Sequence, residues 1–413
     1  MAPVGFTPEA LDTVCYMYPH AASRRQPQYE VEHEDRHLNM LLEPPATPLV
    51  AVVGVGYVGA CLVEVFSREY DTLGYDLSET RINNLKHAFS PNSRVVLTAN
   101  PQHLEKATHY LISVPTPLLP DKSIDLSCLR DAVQTVAAHA RRGSTIVIES
   151  SVALGTTRRL LGPLAKHGRH YAGMSPERID PGRAEPPAHA IPKVVSGLDD
   201  VVPGSLDKIT QLYGRVFRRL VPVSTPEVAE MTKLYENCQR MICLAYANEM
   251  ADACMPYNIN PFEVCAAAST KPFGYLPFTP GVGVGGPCLP VNPYYLLSTC
   301  PFPLLRAASE TMSRRPANMA KRAIRQLMVG RFNKTKPRVL VVGVAYKAGQ
   351  PTITNSPGLD LIRHLSTGTR VVFADPLVSQ HRVHQVQRLE DSAWNRESLL
   401  DKIKDVAIEW WCK

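Results

Sequence analysis

Cys288 stands alone in a segment otherwise built for shape. Residues 270–293 hold six prolines (Pro272, Pro277, Pro280, Pro287, Pro290, Pro293) and five glycines (Gly274, Gly281, Gly283, Gly285, Gly286), so neither a regular helix nor a central strand is expected there. Glycine lets a backbone come close to a ligand and take up positive φ, and proline holds the remaining path in few conformations. A thiol in such a loop is either presented to a ligand or packed as a small hydrophobe, the commoner fate of a free cysteine. A second constellation is Gly54, Gly56 and Gly59, a G-x-G-x-x-G directly after an apolar run, with Asp76 following Gly54 by 22 residues at the end of the next run. Such a turn sets a pyrophosphate on a helix N-terminus while the acid accepts a ribose hydroxyl, and an acid there favours NAD over NADP. Glu177 and Arg178 in "MSPERIDPG", Lys233 four residues before Asn237, and the pair Tyr346 and Lys347 are further candidates. Each also has an ordinary reading as a surface ion pair, a solvated lysine or the residues after a buried strand.

These groups need elements to hold them. At 413 residues two or three domains are expected, and 45% hydrophobic with 20% charged residues is the composition of a globular protein. The formal charge of +7 is mild and carries no long basic run, so nucleic-acid binding does not follow. Ten singly scattered cysteines, without a CxxC pair or zinc-type Cys/His spacing, suggest neither a metal nor a disulfide framework. No apolar run approaches the roughly 20 residues that span a bilayer and no signal-peptide pattern opens the chain, so a cytoplasmic, membrane-free protein is expected. No Ser/His/Asp order or HExxH gives a hydrolase a starting point.

Residues 1–47 read as a flexible extension. "PLVAVVGVGYVGACLVEVFSREYDTLGYDLS", "HYLISVPTP" and "GSTIVIESS", with the helical "DLSCLRDAVQTVAAHARR" between the last two, alternate strand and helix and imply a parallel, doubly wound sheet over 48–205. Over 206–335 a central helical region is expected. It contains one long helix, with Pro226 near its first turn and Pro256 near its end, whose apolar stripe Val228, Met231, Tyr235, Cys238, Ile242 and Ala245 is core or dimer seam. "KPRVLVVGVAYKAG", "GLDLIRHLS" and "TRVVFADPL" predict a second, smaller α/β domain over 336–413, whose Gly343 loop is not another G-x-G-x-x-G. The fold class expected is therefore α/β, with two Rossmann-like domains joined by a long helix and the second domain shortened.

The ordered motifs "VAVVGVGYVG", "SVPTP", "ESSVALGTT", "SPERIDPG", "IPKVVSG", "EMTKLYEN", "STKPFGYLPFTPGVGVGGPCLPVNPYYL" and "VGVAYK...SPGLDLI" resemble the UDP-glucose/GDP-mannose dehydrogenases from about Leu49 to Pro376. "SPERIDPG", "IPKVVSG" and "STKPFG" resemble the branch that oxidises UDP-N-acetylhexosamines. The resemblance implies NAD-dependent, two-step oxidation of a UDP-sugar C6 alcohol to the uronate, through a thiohemiacetal and a thioester on Cys288. It assigns Lys233 to oxyanion stabilisation, Asn237 as its partner, Glu177 to water in thioester hydrolysis, and Asn292 to the position four after the cysteine. It places NAD on Gly54, Gly56, Tyr57, Val58, Gly59, Asp76, Pro115, Thr116 and Ser151, and the nucleotide sugar on Arg178, Tyr275, Phe278, Gly285, Tyr346 and Lys347. It also implies a homo-oligomer, with the long helix packed against a partner's.

Several positions depart from the family pattern. Asn292 replaces an aspartate, Pro287 a His or Ser, and Thr352 and Thr354 an Asp and an Arg. Loss of that arginine is expected to weaken NAD binding by ~1.5–3 kcal/mol. "DKIKDVAIEWWCK" reads as a strand arriving without its last helix, which makes the closing domain short. The alternative reading that these departures favour is a catalytically impaired member that binds nucleotide sugar or co-assembles with an active homologue. A third reading is a β-hydroxyacid dehydrogenase relative, which shares the cofactor fold but has no use for a cysteine loop.

Overall fold

Alternating apolar strands and amphipathic helices build an eight-stranded sheet in a computed structural model of the chain, which describes residues 48–180, 182–183, 185–329 and 336–390. The extension expected over 1–47 and the strand expected in 401–413 lie outside the described residues. The strands are β1 (Leu49–Val53), β2 (Asp71–Tyr75), β3 (Val95–Thr98), β4 (His109–Ile112), β5 (Thr145–Ile148), β6 (Tyr171–Met174), β7 (Lys193–Gly197) and β8 (Leu220–Pro222). They lie in the order β3-β2-β1-β4-β5-β6-β7-β8, so the chain reverses its direction of travel between β1 and β4. A dinucleotide fits the crevice that such a reversal opens at the strands' carboxyl ends.

Between these strands come α1 (Tyr57–Phe66), α2 (Glu79–Phe89), α3 (Ser127–His139), α4 (Thr156–Gly168) and α5 (Ser205–Tyr213). Successive residues of β1 feed opposite layers, as the pleat requires. Leu49, Ala51 and Val53 pack with Leu129, Val133 and Leu161 of α3 and α4, whereas Val50 and Val52 pack with Leu62, Phe66, Ile82 and Leu212 of α1, α2 and α5. Two strands depart from the expected parallel arrangement, since β7 runs antiparallel to β6 and β8 runs parallel to β7. The cause is the connection. Among the described residues of 175–192 there is only a short 3-10 turn and no crossover helix, and a parallel return needs such a crossover.

The long helix forms as expected, as α6 (Pro226–Cys254). Its stripe divides. Cys238 and Ala245 are buried beside Leu234 and Met241, but Val228 and Tyr235 are 41% and 69% exposed. The buried seam thus runs through Leu234, Cys238, Met241 and Ala245, leaving Tyr235 on an open face with Tyr246 and Met250. Beyond it lie α7 (Pro261–Ala268), α8 (Asn292–Leu297) and α9 (Pro303–Met328). No helix or strand occurs over 269–291, the segment rich in glycine and proline.

The chain divides into two compact units. The first comprises the described residues up to Leu234 with Tyr294–Thr299, and the second Tyr235–Pro293 with the described residues from Cys300 onward. The second carries a small parallel sheet, β9 (Arg338–Val342), β10 (Arg370–Ala374) and β11 (Gln387–Arg388), in the order β11-β10-β9, with α10 (Pro357–Leu365) as the β9-to-β10 crossover. Its core joins Ala320, Ala323 and Leu327 of α9 to Val339, Val341, Ile362, Leu365, Val371 and Phe373. Among the described residues no helix is long and apolar enough to cross a membrane.

Candidate active site

In the first unit every candidate residue outside α6 sits just beyond the carboxyl end of a strand. Gly54 to Gly59 follow β1 and Asp76 follows β2, while Pro115 and Thr116 follow β4, Ser151 follows β5, and Glu177 and Arg178 follow β6. Gly54 has φ +88°, its N–H donates to Tyr75 O at 2.8 Å, and the next N–H, of Val55, donates to Asp76 Oδ2 at 3.0 Å. Asp76 Oδ1 accepts from Ser78 N at 2.9 Å, so the carboxylate is oriented by the turn and keeps lone pairs for a ribose. A Cβ on Gly59 would lie 1.9 Å from Gly54 O, which shows how tightly the turn closes on α1. A Cβ on Gly56 would meet nothing within 4 Å. That open space borders the first turn of α1, whose N-cap makes no side-chain bond and which carries no acid, and it suits the pyrophosphate of NAD. Tyr57 is 45% exposed and Val58 half-buried at the same turn. Arg81 braces the turn by donating to the carbonyls of Val55 (2.8 Å) and Gly56 (3.1 Å). The Thr116 hydroxyl donates to Ser151 O at 2.9 Å, joining two of the expected cofactor residues.

Glu177 lies at the edge of a buried charge cluster that the sequence reading missed. Its Oε1 accepts from the backbone N–H groups of Arg178 (2.6 Å) and Ile179 (2.8 Å), and its Oε2 pairs with Lys193 Nζ at 3.0 Å. Lys193 also pairs with Glu149 Oε2 at 2.6 Å, and Tyr213 donates to Glu149 Oε1 at 2.5 Å. Burial pushes the Glu149 carboxyl up to about 7 against the pull of Lys193. Burial works on Glu177 in the same direction, but the Lys193 ammonium, the Arg178 backbone N–H and Lys233 hold it below the usual carboxylate range. Arg178 sends Nη1 to Pro192 O at 2.7 Å. Lys233, 7% exposed, is carried on the part of α6 anchored by Glu230, whose carboxylate accepts from Gly155 N (2.6 Å) and Thr157 N (2.8 Å) at the start of α4.

In the second unit the cysteine loop is tied down at both ends of its glycine run. Gly281 N donates to Asn248 Oδ1 at 2.8 Å and Gly281 O accepts from Arg315 Nε at 2.9 Å. Gly286, at φ +91°, donates to Thr354 O and accepts from Asn355 Nδ2, both at 3.0 Å. Cβ atoms on Gly285 and Gly286 would lie 2.7 Å from Pro357 Cδ and from the Tyr346 ring, so only glycine lets the loop pass. Cys288 follows as a half-buried free thiol, and its carbonyl accepts from Asn292 N at 2.9 Å. Asn237 and Asn292 are buried, with the Asn237 amide donating to Asn292 Oδ1 and the Arg240 guanidinium donating to Asn237 Oδ1. Tyr275 and Phe278 are half-buried on the same loop, and Tyr346 and Lys347 half-buried in the turn after β9. That turn repeats the first unit's geometry without its motif: Gly343 has φ +83° and donates to Ala374 O, and Val344 N donates to Asp375 Oδ2 at 2.8 Å. Asp375, however, is buried and accepts from four backbone N–H groups, so it latches a turn rather than facing a ribose. Among the described residues no cluster of His, Cys, Asp and Glu is arranged to hold a metal.

Two family matches run along the chain. The UDP-glucose/GDP-mannose dehydrogenase family, NAD binding domain, matches residues 49–217, and the same family's central domain matches residues 227–311. The UDP-N-acetyl-D-mannosamine dehydrogenase of Pyrococcus horikoshii is 31% identical over 80% of this chain and 84% of its own length. The UDP-N-acetyl-D-glucosamine 6-dehydrogenase of Pseudomonas aeruginosa is 30% identical over 80% and 83%. The solved structure of the Pyrococcus horikoshii UDP-D-ManNAc dehydrogenase matches with a TM-score of 0.73, covering 80% of this chain and 84% of that one. A UDP-glucose dehydrogenase from Pyrobaculum islandicum reaches 0.74 at 23% identity, covering 86% and 88%, a likeness of fold alone.

Proposed function

The chain belongs to the UDP-glucose/GDP-mannose dehydrogenase family and is an NAD-dependent oxidoreductase, and on that premise we propose that it oxidises the C6 alcohol of a UDP-sugar to the uronate in two steps. The sugar proposed first is a UDP-N-acetylhexosamine, since the relatives of 31% and 30% identity are named for UDP-N-acetyl-D-mannosamine and UDP-N-acetyl-D-glucosamine. UDP-glucose is the next to be tried. Bound on the Gly54–Gly59 turn, NAD supplies the acceptor for the hydride lost in each oxidation.

The observation that carries the reading is Cys288, a half-buried free thiol on a loop held through Gly281 and Gly286. Its thiolate adds to the C6 aldehyde, the thiohemiacetal is oxidised to a thioester, and water releases the uronate. The Lys233 ammonium is the donor for the oxyanions of these steps, a role suited to a cation largely withdrawn from solvent. Glu177, kept ionised by Lys193, accepts a proton from the hydrolytic water. Asn237, fixed by Arg240, orients Asn292, which can hold a water but cannot take its proton. Arg178, Tyr275, Phe278, Gly285, Tyr346 and Lys347 are proposed to hold the nucleotide sugar. A second copy of the chain is the proposed partner, on the face of α6 left open at Tyr235, Tyr246 and Met250.

The test is stoichiometric. Purified protein with NAD is given UDP-GlcNAc, UDP-ManNAc, UDP-glucose or GDP-mannose, and NADH is counted per sugar consumed. Two NADH per sugar are expected with one of the UDP-sugars. Cys288→Ala is expected to lower steady turnover roughly a thousandfold, equivalent to about 4 kcal/mol of transition-state stabilisation. One NADH per sugar, or full turnover in the variant, overturns the covalent route.

A further inference from the structure

We propose that Glu149 is a positioning residue for Glu177: through the ammonium of Lys193, which both carboxylates share, its charge sets how strongly Glu177 draws a proton from the hydrolytic water. The inference deepens the dehydrogenase reading and rests on it. The geometry comes from three separate elements. Glu149 is the first residue after β5, Lys193 opens β7, and Tyr213 closes α5; the three side chains meet within the core at 1%, 2% and 0% exposure. Glu177 completes the group from the loop after β6, with a side chain 11% exposed.

The two carboxylates share the Lys193 ammonium, and Lys233 offsets charge on the Glu177 side, so the fully buried Glu149 is the costlier of the two to ionise and retains a proton. The pair then titrates as a unit, and the last proton resides on the fully buried Glu149, whose carboxyl burial pushes up to about 7. Other groups facing the cluster do not compete for this role. Lys233 lies on the Glu177 side as a cation, Tyr57 and Tyr213 are both shifted upward by burial, and burial pushes the Cys61 thiol up to about 12. Below neutrality Glu149 is neutral and Lys193 serves Glu177 alone, making that carboxylate a weak base. Above neutrality Glu149 takes a share of the ammonium and repels Glu177, making it a stronger one.

In the step so controlled, water oxygen bonds to the acyl carbon and the C–S bond breaks with its electron pair left on sulfur. One water proton passes to Glu177 and on to solvent; the other is lost when the carboxylic acid ionises. No oxidant or metal is required.

The experiment is Glu149→Gln in the full chain, which keeps an oxygen for Lys193 and removes the charge. The wild type is expected to show kcat rising through a limb near neutrality. The variant is expected to lose that limb, fall roughly three- to tenfold in kcat at pH 8, keep KM for both substrates within about twofold, and accumulate acylated Cys288 detectable by mass spectrometry of the intact protein. A variant profile that superimposes on the wild type, or a rise in KM with kcat unchanged, overturns the role. If Glu149→Gln does not fold, Tyr213→Phe removes one hydrogen bond from the ionised Glu149 and must move the limb to higher pH; an unmoved limb overturns the role equally. A wild type that forms no NADH from any sugar overturns the dehydrogenase reading and this role with it, whereas failure of the variants alone leaves that reading standing.

Discussion

Two glycines of one motif are held for different reasons, and substitution separates them. A Cβ on Gly59 would strike Gly54 O at 1.9 Å and Gly54 C at 2.9 Å, backbone that cannot move without opening the turn. Gly59→Ala is therefore expected to destabilise the protein by about 2–3 kcal/mol, read as a lowered urea midpoint. Gly56 has φ −62°, ordinary for any residue, and nothing within 4 Å of its Cβ position. Gly56→Ala is expected to leave the unfolding stability within about 0.5 kcal/mol of wild type, with the urea midpoint nearly unchanged, yet raise the NAD Kd tenfold or more, because the added methyl occupies the space the pyrophosphate needs. Equal loss of stability in both variants would contradict this division. The glycine fingerprint was legible because it is local, a few residues whose spacing states its own geometry. The Glu149–Lys193 pair was not, since its members lie 44 residues apart and nothing around either one names the other.

Elements were legible where one period dominated. The β1–α1–β2 unit and α6 formed where apolar spacing placed them, but β7 reversed direction because its connection lacks a helix, and the α6 stripe split because apolar residues occupy two of its sides. The turn after β9 shows the converse: without the later glycines of the fingerprint, it reaches the same hydrogen-bond geometry through Gly343 and Asp375. On β4, His109 predicts an acid sensitivity. Burial, with Lys208 adding to it, lowers its pKa from 6.5 to about 4. The unfolded chain binds this proton more readily than the folded one, so the contribution is fully present above about pH 6.5 and is lost as pH falls toward 4. Glu149 acts oppositely, its raised carboxyl costing stability as pH rises toward 7, so the two are separated by a difference measurement. Between pH 7.5 and 4.5 the wild type should lose about 1–2 kcal/mol more stability than His109→Gln, a range discounted for the ring's residual solvent contact. Parallel stability curves for the two proteins would remove His109 from the account.

For the whole molecule, the question the structure raises most sharply is what covers the open apolar side of α6 and the segment after it. Tyr235, Tyr246, Tyr257 and Phe273 are 69%, 65%, 77% and 71% exposed, with Met250, Ile259 and Leu276 also open. Single exposed apolar residues are ordinary, but Tyr235, Tyr246 and Met250 recur at spacings of 11 and 4, which returns them to one side of a helix. A face of this composition, rich in tyrosine and poor in charge, is of the kind that stable interfaces bury. The proposed second copy predicts a mass twice that of the chain by light scattering at micromolar concentration. Tyr246→Lys places an ammonium where the tyrosine ring would be buried; a penalty of ~2–4 kcal/mol weakens the dimer roughly 30- to 1,000-fold, so the variant should elute as a folded monomer with unchanged circular dichroism. Since the side chain is exposed in the single chain, its replacement has no core contact to break, and loss of assembly without loss of fold distinguishes an interface from a packing defect. A wild-type protein that is monomeric at these concentrations, or a Tyr246→Lys variant that stays dimeric, would show that this face serves something other than a second copy.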